Sequence, residues 1–251
     1  MKIVVIGGTG LIGSNLVNKL RRLNHTVIAA SPDTGVNSIT GEGLNEALKD
    51  ADVVVDVSNS PSFEDNAVLN FFKTSTMNLL AAARQAAVKH YVALSIVGTD
   101  RLPGSGYLRA KLAQEDLIKK GGIPYTILRS TQFFEFAGRI AQEGTVGNEI
   151  RISTGTIQPI ASDETVAALT DIVINPPING IIEVGGPARM PMSEFIRYYL
   201  TATNDSHQLV ADAHALYFGV EINDSALVTS ANARLGKIKY EDWFSKQLSK
   251  A

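Results

Sequence analysis

Lys2-Ile3-Val4-Val5-Ile6-Gly7-Gly8-Thr9-Gly10-Leu11-Ile12-Gly13 opens the chain directly after its first methionine. The run over 2–6 is apolar without alternation, which predicts a strand buried on both faces. Glycines follow at once. Over 11–23, Leu11, Ile12, Leu16, Val17, Leu20 and Leu23 recur at helical spacing. Strand, glycine-rich turn and helix in that order form a cradle for a dinucleotide pyrophosphate. One glycine makes the tight turn, another lets the backbone approach the ligand, and the last lets helix pack on strand. Gly8, Gly10 and Gly13 satisfy the fingerprint literally, and Gly7, Gly10 and Gly13 satisfy a variant spaced by three. The expected cofactor contacts are therefore Gly7, Gly8, Thr9, Gly10, Leu11, Ile12 and Gly13, with the unpaired N–H groups of the helix start facing the phosphates. A glycine run by itself is also the signature of a flexible turn; the strand before it and the helix after it decide for the cradle.

Working outward, β-branched runs over 26–30, 52–57, 91–94 and 125–128 predict four more strands. Stretches over 44–48, 64–87, 107–120 and 133–142 predict helices between and after them. Parallel strands need crossover connections, so this alternation implies a parallel sheet, and right-handed crossovers make it doubly wound. The expected fold is α/β of the Rossmann type, with ligands at the carboxyl ends of the strands, after Ile6, Ala30, Val57, Leu94 and Leu128. Beyond residue 143 the rhythm changes. Helices are expected over 162–174, 192–201 and 240–248, and a strand over 181–184 that rejoins the sheet. This divides the chain into an NAD(P)-binding domain over 1–142 and a C-terminal substrate-binding region over 143–251 that caps it.

The chain has 251 residues, with 23 Lys+Arg against 25 Asp+Glu. That near-neutral balance argues against nucleic acid as a partner held by bulk charge. It contains no cysteine, which excludes disulfides, thiolate catalysis and Cys-ligated metal. The first apolar run is too short for a signal segment, and no stretch is long enough to span a membrane. A cytoplasmic protein is expected, monomeric or homodimeric, acting on a small-molecule substrate. His25, His90, His207 and His214 show no metal-ligand spacing, so no metal is expected. Gly-x-Ser-x-Gly is absent, which argues against a serine hydrolase.

The second strand ends in Ala29-Ala30-Ser31 without the acid that would mark NAD. Asp33 follows beyond Pro32, and Ser31-Pro32-Asp33-Thr34-Gly35 also reads as a turn. Ser31 and Thr34 can donate to a 2′-phosphate, although no Arg or Lys stands beside them. NADP is the expected cofactor, with NAD as the alternative.

Tyr107 and Lys111 stand one helical turn apart at the start of the fourth helix. An ammonium beside a phenol favours the phenolate, so the pair can exchange a proton with a carbonyl or alcohol while hydride moves. Lys111 can also reach the nicotinamide ribose. Ser95, at the end of the fourth strand, is placed to orient a substrate oxygen or else to cap the strand.

With these residues quoted, the chain resembles the short-chain dehydrogenase/reductase superfamily, and within it the atypical NmrA-like NAD(P)-binding branch. The segment from Asp52 to Ser58 and Asn59 resembles the strand and loop beside the adenine. The stretch Ile123 to Arg129 followed by Gln132-Phe133-Phe134 resembles the fifth strand and nicotinamide-side loop. The resemblance implies cofactor contacts from Ser58, Asn59, Lys111 and Gln132, and catalysis by Tyr107, Lys111 and Ser95. The chain departs from the pattern at Phe71-Phe72, where epimerase-like members carry Asn, and at Leu94-Ser95-Ile96, where a double serine is common. An NAD(P)-dependent oxidoreductase is the leading expectation. The alternatives are an NADP(H)-sensing regulator without turnover and a nucleotide-sugar epimerase.

Overall fold

The computed structural model describes residues 1–248; residues 249–251 of the expected C-terminal region lie outside them. In chain order the elements are β1 (Lys2–Ile6), α1 (Leu11–Arg22), β2 (Thr26–Ala30), α2 (Leu44–Leu48), β3 (Val53–Asp56), α3 (Asp65–Gln85), β4 (His90–Ile96), α4 (Gly106–Lys120) and β5 (Tyr125–Ser130). They continue with α5 (Ala137–Glu143), β6 (Thr145–Val146), β7 (Glu149–Ile152), β8 (Thr156–Ile157), α6 (Ser162–Ile174) and β9 (Gly180–Gly185). The last are β10 (Met190–Pro191), α7 (Met192–Ala202), β11 (Gln208–Ala211), β12 (Arg234–Leu235) and α8 (Tyr240–Leu248).

Seven strands form one sheet in the order β12-β9-β5-β4-β3-β1-β2. β1 pairs in parallel with β2 and β3, and β3 with β4. The chain leaves β1 towards β2 and then returns to β3 on the other side, so the winding reverses at β1. The loops after β1 and β3 open side by side at that reversal, where this fold binds ligands. This is the doubly wound α/β sheet of the Rossmann type. Ile3, Val4 and Val5 are completely buried, which explains their unbroken apolar run. Val4, Ile6, Val54, Tyr91, Ala93 and Ile127 pack with Leu48 of α2, Leu79 and Ala83 of α3 and Ile118 of α4.

The chain forms two compact units that interleave along it. The first comprises Met1–Ser95, Gly106–Arg129 and Thr165–Ile182, and the second Ile96–Ser105, Ser130–Glu164 and Glu183–Ala251. Within the second, β7 pairs in parallel with β11 and antiparallel with β6, and β8 pairs with β10. Phe134, Phe195, Tyr240 and Trp243 form its aromatic cluster, with Phe195 and Tyr240 centroids 4.5 Å apart.

Three details differ from the sequence reading. The helix expected over 133–142 is a 3-10 turn, Phe134–Phe136, followed by α5. β4 runs two residues past Leu94, so Ser95 lies inside the strand rather than capping its end. The sequence reading lacks the strands β6, β7, β8, β10, β11 and β12, because pieces of two to four residues show no period and, apart from the β6–β7 hairpin, are held by partners distant in sequence.

One buried group in β4 makes stability depend on pH. His90 is 3% exposed and shares a 3.0 Å hydrogen bond with Thr126 Oγ1. Burial lowers its pKa from 6.5 to about 4. The unfolded chain therefore binds the proton more readily than the folded one. The stability His90 contributes is full above the unfolded pKa and is lost as pH falls through the window between the two values. Its share of the loss between about pH 7.5 and about pH 5 is about 2 kcal/mol. Urea denaturation at the two pH values should show this difference shrink by that amount in His90→Gln.

Candidate cofactor and active site

The glycine loop is built by close backbone contacts. Gly7 has φ +77°, a left-handed conformation that favours glycine. Its N–H and that of Gly8 both donate to Ala30 O, at 2.9 and 3.2 Å, and Gly10 N donates to Gly7 O at 3.1 Å. A Cβ on Gly13 would lie 2.0 Å from Gly7 O, and one on Gly8 2.7 Å from Ala29 Cα. These glycines are required by the fold itself.

Gly10 differs. It is exposed, caps α1 with φ −77° and ψ −179°, and has an extended backbone that any residue adopts. Among the described residues, a Cβ there would meet only Gly7 O, at 3.4 Å. The fold does not demand glycine at this position, so the missing side chain leaves room for something outside the chain. The first turn of α1, Leu11 to Ser14, carries no acid, and its leading N–H groups have no acceptors within the helix. Thr9 and Leu11 are exposed beside Gly10, whereas Ile12 is buried in the core and offers only its backbone. A cradle that a side chain at residue 10 would fill, at the positive end of a helix, fits a dinucleotide pyrophosphate.

The loop after β3 abuts this cradle: a Cβ on Gly7 would lie 2.9 Å from Ser58 N and Cα. Ser58 donates to Asp56 Oδ1 through its N–H and hydroxyl, at 3.0 and 2.6 Å. Asn59 Oδ1 accepts from the Tyr107 hydroxyl at 2.8 Å. After β2, Ser31 is buried and its N–H donates to Thr34 Oγ1 at 2.9 Å. The Thr34 hydroxyl lies within 3.0 Å of the Ala29 and Ser31 carbonyls. Thr34 thus closes its own turn.

Tyr107 and Lys111 start on one face of α4 but hold different partners. Tyr107 is half-buried, stacks on Phe63 at 5.3 Å and meets the edge of Phe72 at 6.0 Å. Lys111 is 4% exposed. Its ammonium donates to Leu94 O at 2.8 Å and to Gln114 Oε1, and lies 4.4 Å from the Phe72 ring centre. Burial lowers its pKa to about 8, with Asp56 and then Glu115 pulling it back up. The ammonium thus has acceptors of its own, one helical turn from the phenol. The Phe72 ring receives the ammonium over its face and packs near-perpendicular to the phenol ring.

Ser95 is 2% exposed and donates to Glu115 Oε1 at 2.6 Å. Glu115 also accepts Arg129 Nε at 2.9 Å and Nη2 at 2.8 Å. The hydroxyl proton of Ser95 is used on a buried carboxylate. Gln132 lies in the second unit, 6% exposed, with both side-chain amide atoms buried and without a hydrogen-bond partner among the described residues.

Sequence reasoning missed Asp56, Gln114, Glu115 and Arg129 as parts of one buried polar set. A signal was present. Asp56 ends a Val-Val-Val run, Arg129 interrupts an apolar strand, and Gln114 and Glu115 stand three and four residues past Lys111.

A family model described as NAD(P)H-binding matches residues 7–169. The photosystem II assembly factor Ycf39 of Synechocystis sp. is 26% identical over 64% of this chain and 54% of its own, and that of Cyanophora paradoxa is 27% identical over 54% and 46%. The chain therefore spans about half the length of these relatives. An epimerase family protein of Mycobacterium bovis is 26% identical over 92% of this chain and 89% of its own. Two solved structures share the fold. MoeE5 in complex with UDP-glucose and NAD has a TM-score of 0.77 at 18% identity, covering 99% of this chain and 100% of its own. The dTDP-4-dehydrorhamnose reductase of Bacillus anthracis in complex with NADP has a TM-score of 0.72 at 14% identity, covering 100% and 98%. With the matched region spanning the glycine loop, β2 to β8 and most of α6, the chain belongs to the NAD(P)H-binding family, in keeping with its resemblance to the atypical short-chain dehydrogenases/reductases.

Proposed function

We propose that this protein is an NAD(P)(H)-dependent oxidoreductase that interconverts a carbonyl and an alcohol on a small molecule, with NADP(H) preferred. The observation that carries the cofactor reading is Gly10, a glycine that the fold does not need at the mouth of the cradle. Gly7 to Gly13 would hold the pyrophosphate, with Ser58 and Asn59 beside it. The absence of an acid at the end of β2 supports NADP(H), since Asp33 lies exposed in the following turn. When bound, the nicotinamide supplies or accepts the hydride.

The chain's own part is the proton. Tyr107, held through its hydroxyl by Asn59 and through its ring by Phe63 and Phe72, is the general acid–base. Lys111 acts on it through space as a buried cation, and Ser95 acts indirectly by holding Glu115. Structurally similar proteins carry UDP-glucose and UDP-glucuronic acid, so nucleotide-linked sugars head the substrate panel, followed by simple aldehydes and ketones.

A second reading, a cofactor sensor without turnover, is favoured by the commitment of Lys111 to Leu94 and Gln114. Tyr107→Phe separates the two. The enzyme reading expects NADPH consumption with a carbonyl from the panel to fall by about 10²–10⁴-fold, with NADPH affinity within about threefold of wild type. Turnover that survives the substitution refutes the role of Tyr107. NADPH binding with no turnover of any panel member favours the sensor.

A further inference from the structure

We propose that Gln114 and Asp56 are positioning residues for Lys111, forming a buried carboxylate–carboxamide–ammonium relay that fixes the lysine at the carboxyl end of β4. The relay rests on the reading of this site as an NAD(P)(H) site.

The geometry is directional. Gln114 Nε2 donates to Asp56 Oδ2 at 2.9 Å, and its Oε1 accepts from Lys111. Asp56, Gln114 and Lys111 are 1%, 1% and 4% exposed. A primary amide is the side chain suited to this bridge, because it offers a donor to an anion and an acceptor to a cation at once. Asp56 spends its remaining capacity on Ser58 N and Oγ and on the Tyr91 hydroxyl at 3.3 Å. Each member of the chain is thus satisfied, which a buried charge requires.

Ser58 ties the far end of the relay to the loop against Gly7, and Leu94 O ties the near end to β4. The relay therefore runs from the cofactor cradle to the lysine. The other groups in this set are Phe72 from α3, Tyr91 and Ser95 from β4, Tyr107 and Glu115 from α4, and Arg129 from β5, which neutralises Glu115.

The test reads Lys111 itself. In the full chain labelled with [ε-13C]lysine, the Lys111 resonance, assigned by its loss in Lys111→Met, is titrated by NMR. The wild-type signal should titrate near pH 8. Gln114→Leu removes the ammonium's acceptor and should lower that midpoint by about one unit or more, whereas Gln114→Glu, which keeps the shape and adds a negative charge, should raise it by at least about one unit. Asp56→Asn should lower it. A midpoint unchanged in both Gln114→Glu and Asp56→Asn overturns the relay, and those variants decide the matter even where Gln114→Leu fails to fold. NADPH titration of the same proteins separates the two layers. Shifted midpoints without NADPH binding in the wild type keep the relay and sink the functional reading. Wild-type binding with unmoved midpoints does the reverse.

Discussion

Gly10→Ala is expected to weaken NADPH binding by at least about 30-fold, roughly 2 kcal/mol, while leaving the fold intact. The extended backbone of Gly10 accepts alanine, and the added methyl meets only a carbonyl at ordinary contact distance. Alanine is a poor helix N-cap, so stability should fall by about 1 kcal/mol or less. Gly13→Ala is the contrasting case. Its methyl would sit 2.0 Å from Gly7 O, and backbone cannot yield as a side-chain tip can. That variant should lose binding and stability together. Thermal melts alongside cofactor titrations of both variants check the distinction. If Gly10→Ala kept full affinity, the glycine would have no ligand to accommodate.

Arg129→Met should cost about 3–5 kcal/mol, because it removes the main partner of a carboxylate that remains buried. Arg129 and Glu115 have side chains only 6% and 1% exposed, and they meet through two parallel N–H···O bonds. Ser95 and Lys119, the latter 3.6 Å away, cannot replace a bidentate guanidinium. The melting temperature should drop by roughly 10 °C in a chain of this size. Replacing both members, as Glu115→Leu with Arg129→Met, should recover most of the loss, since no unpaired charge is left behind. Equal losses in the single and double variants would show that side-chain volume, not charge, governs the site.

The sheet was legible because its signals are local. Five apolar runs separated by helix-length stretches leave little choice but parallel pairing, and the glycines between Ile6 and Leu11 mark where the first crossover begins. After residue 143 only the strand near Ile181, now β9, was legible. Glu149–Ile152 is a strand because Gln208–Ala211 lies beside it, and that pairing leaves no period in either segment. The site was legible by residue type and not by partner. Tyr107 and Lys111 were found from a four-residue step, but the step says nothing about what each side chain touches. Phe72 comes from α3, and its ring centre lies 4.4 Å from the ammonium, which donates to Leu94 and Gln114. Ser95 reads as a strand end because a polar residue closes the apolar run over 91–94, yet β4 continues to Ile96. Thr34 looked available because a hydroxyl's capture by its own turn depends on backbone angles that the spacing does not reveal.

The most direct measurement is an equilibrium titration of the wild-type protein with NADPH and with NADH, followed by cofactor fluorescence, with Gly10→Ala run beside it. Saturable binding of one dinucleotide per chain is expected, tighter for NADPH, with its loss in the variant. Failure of both cofactors to bind the folded wild-type protein, or equal binding by Gly10→Ala, would contradict the cofactor reading.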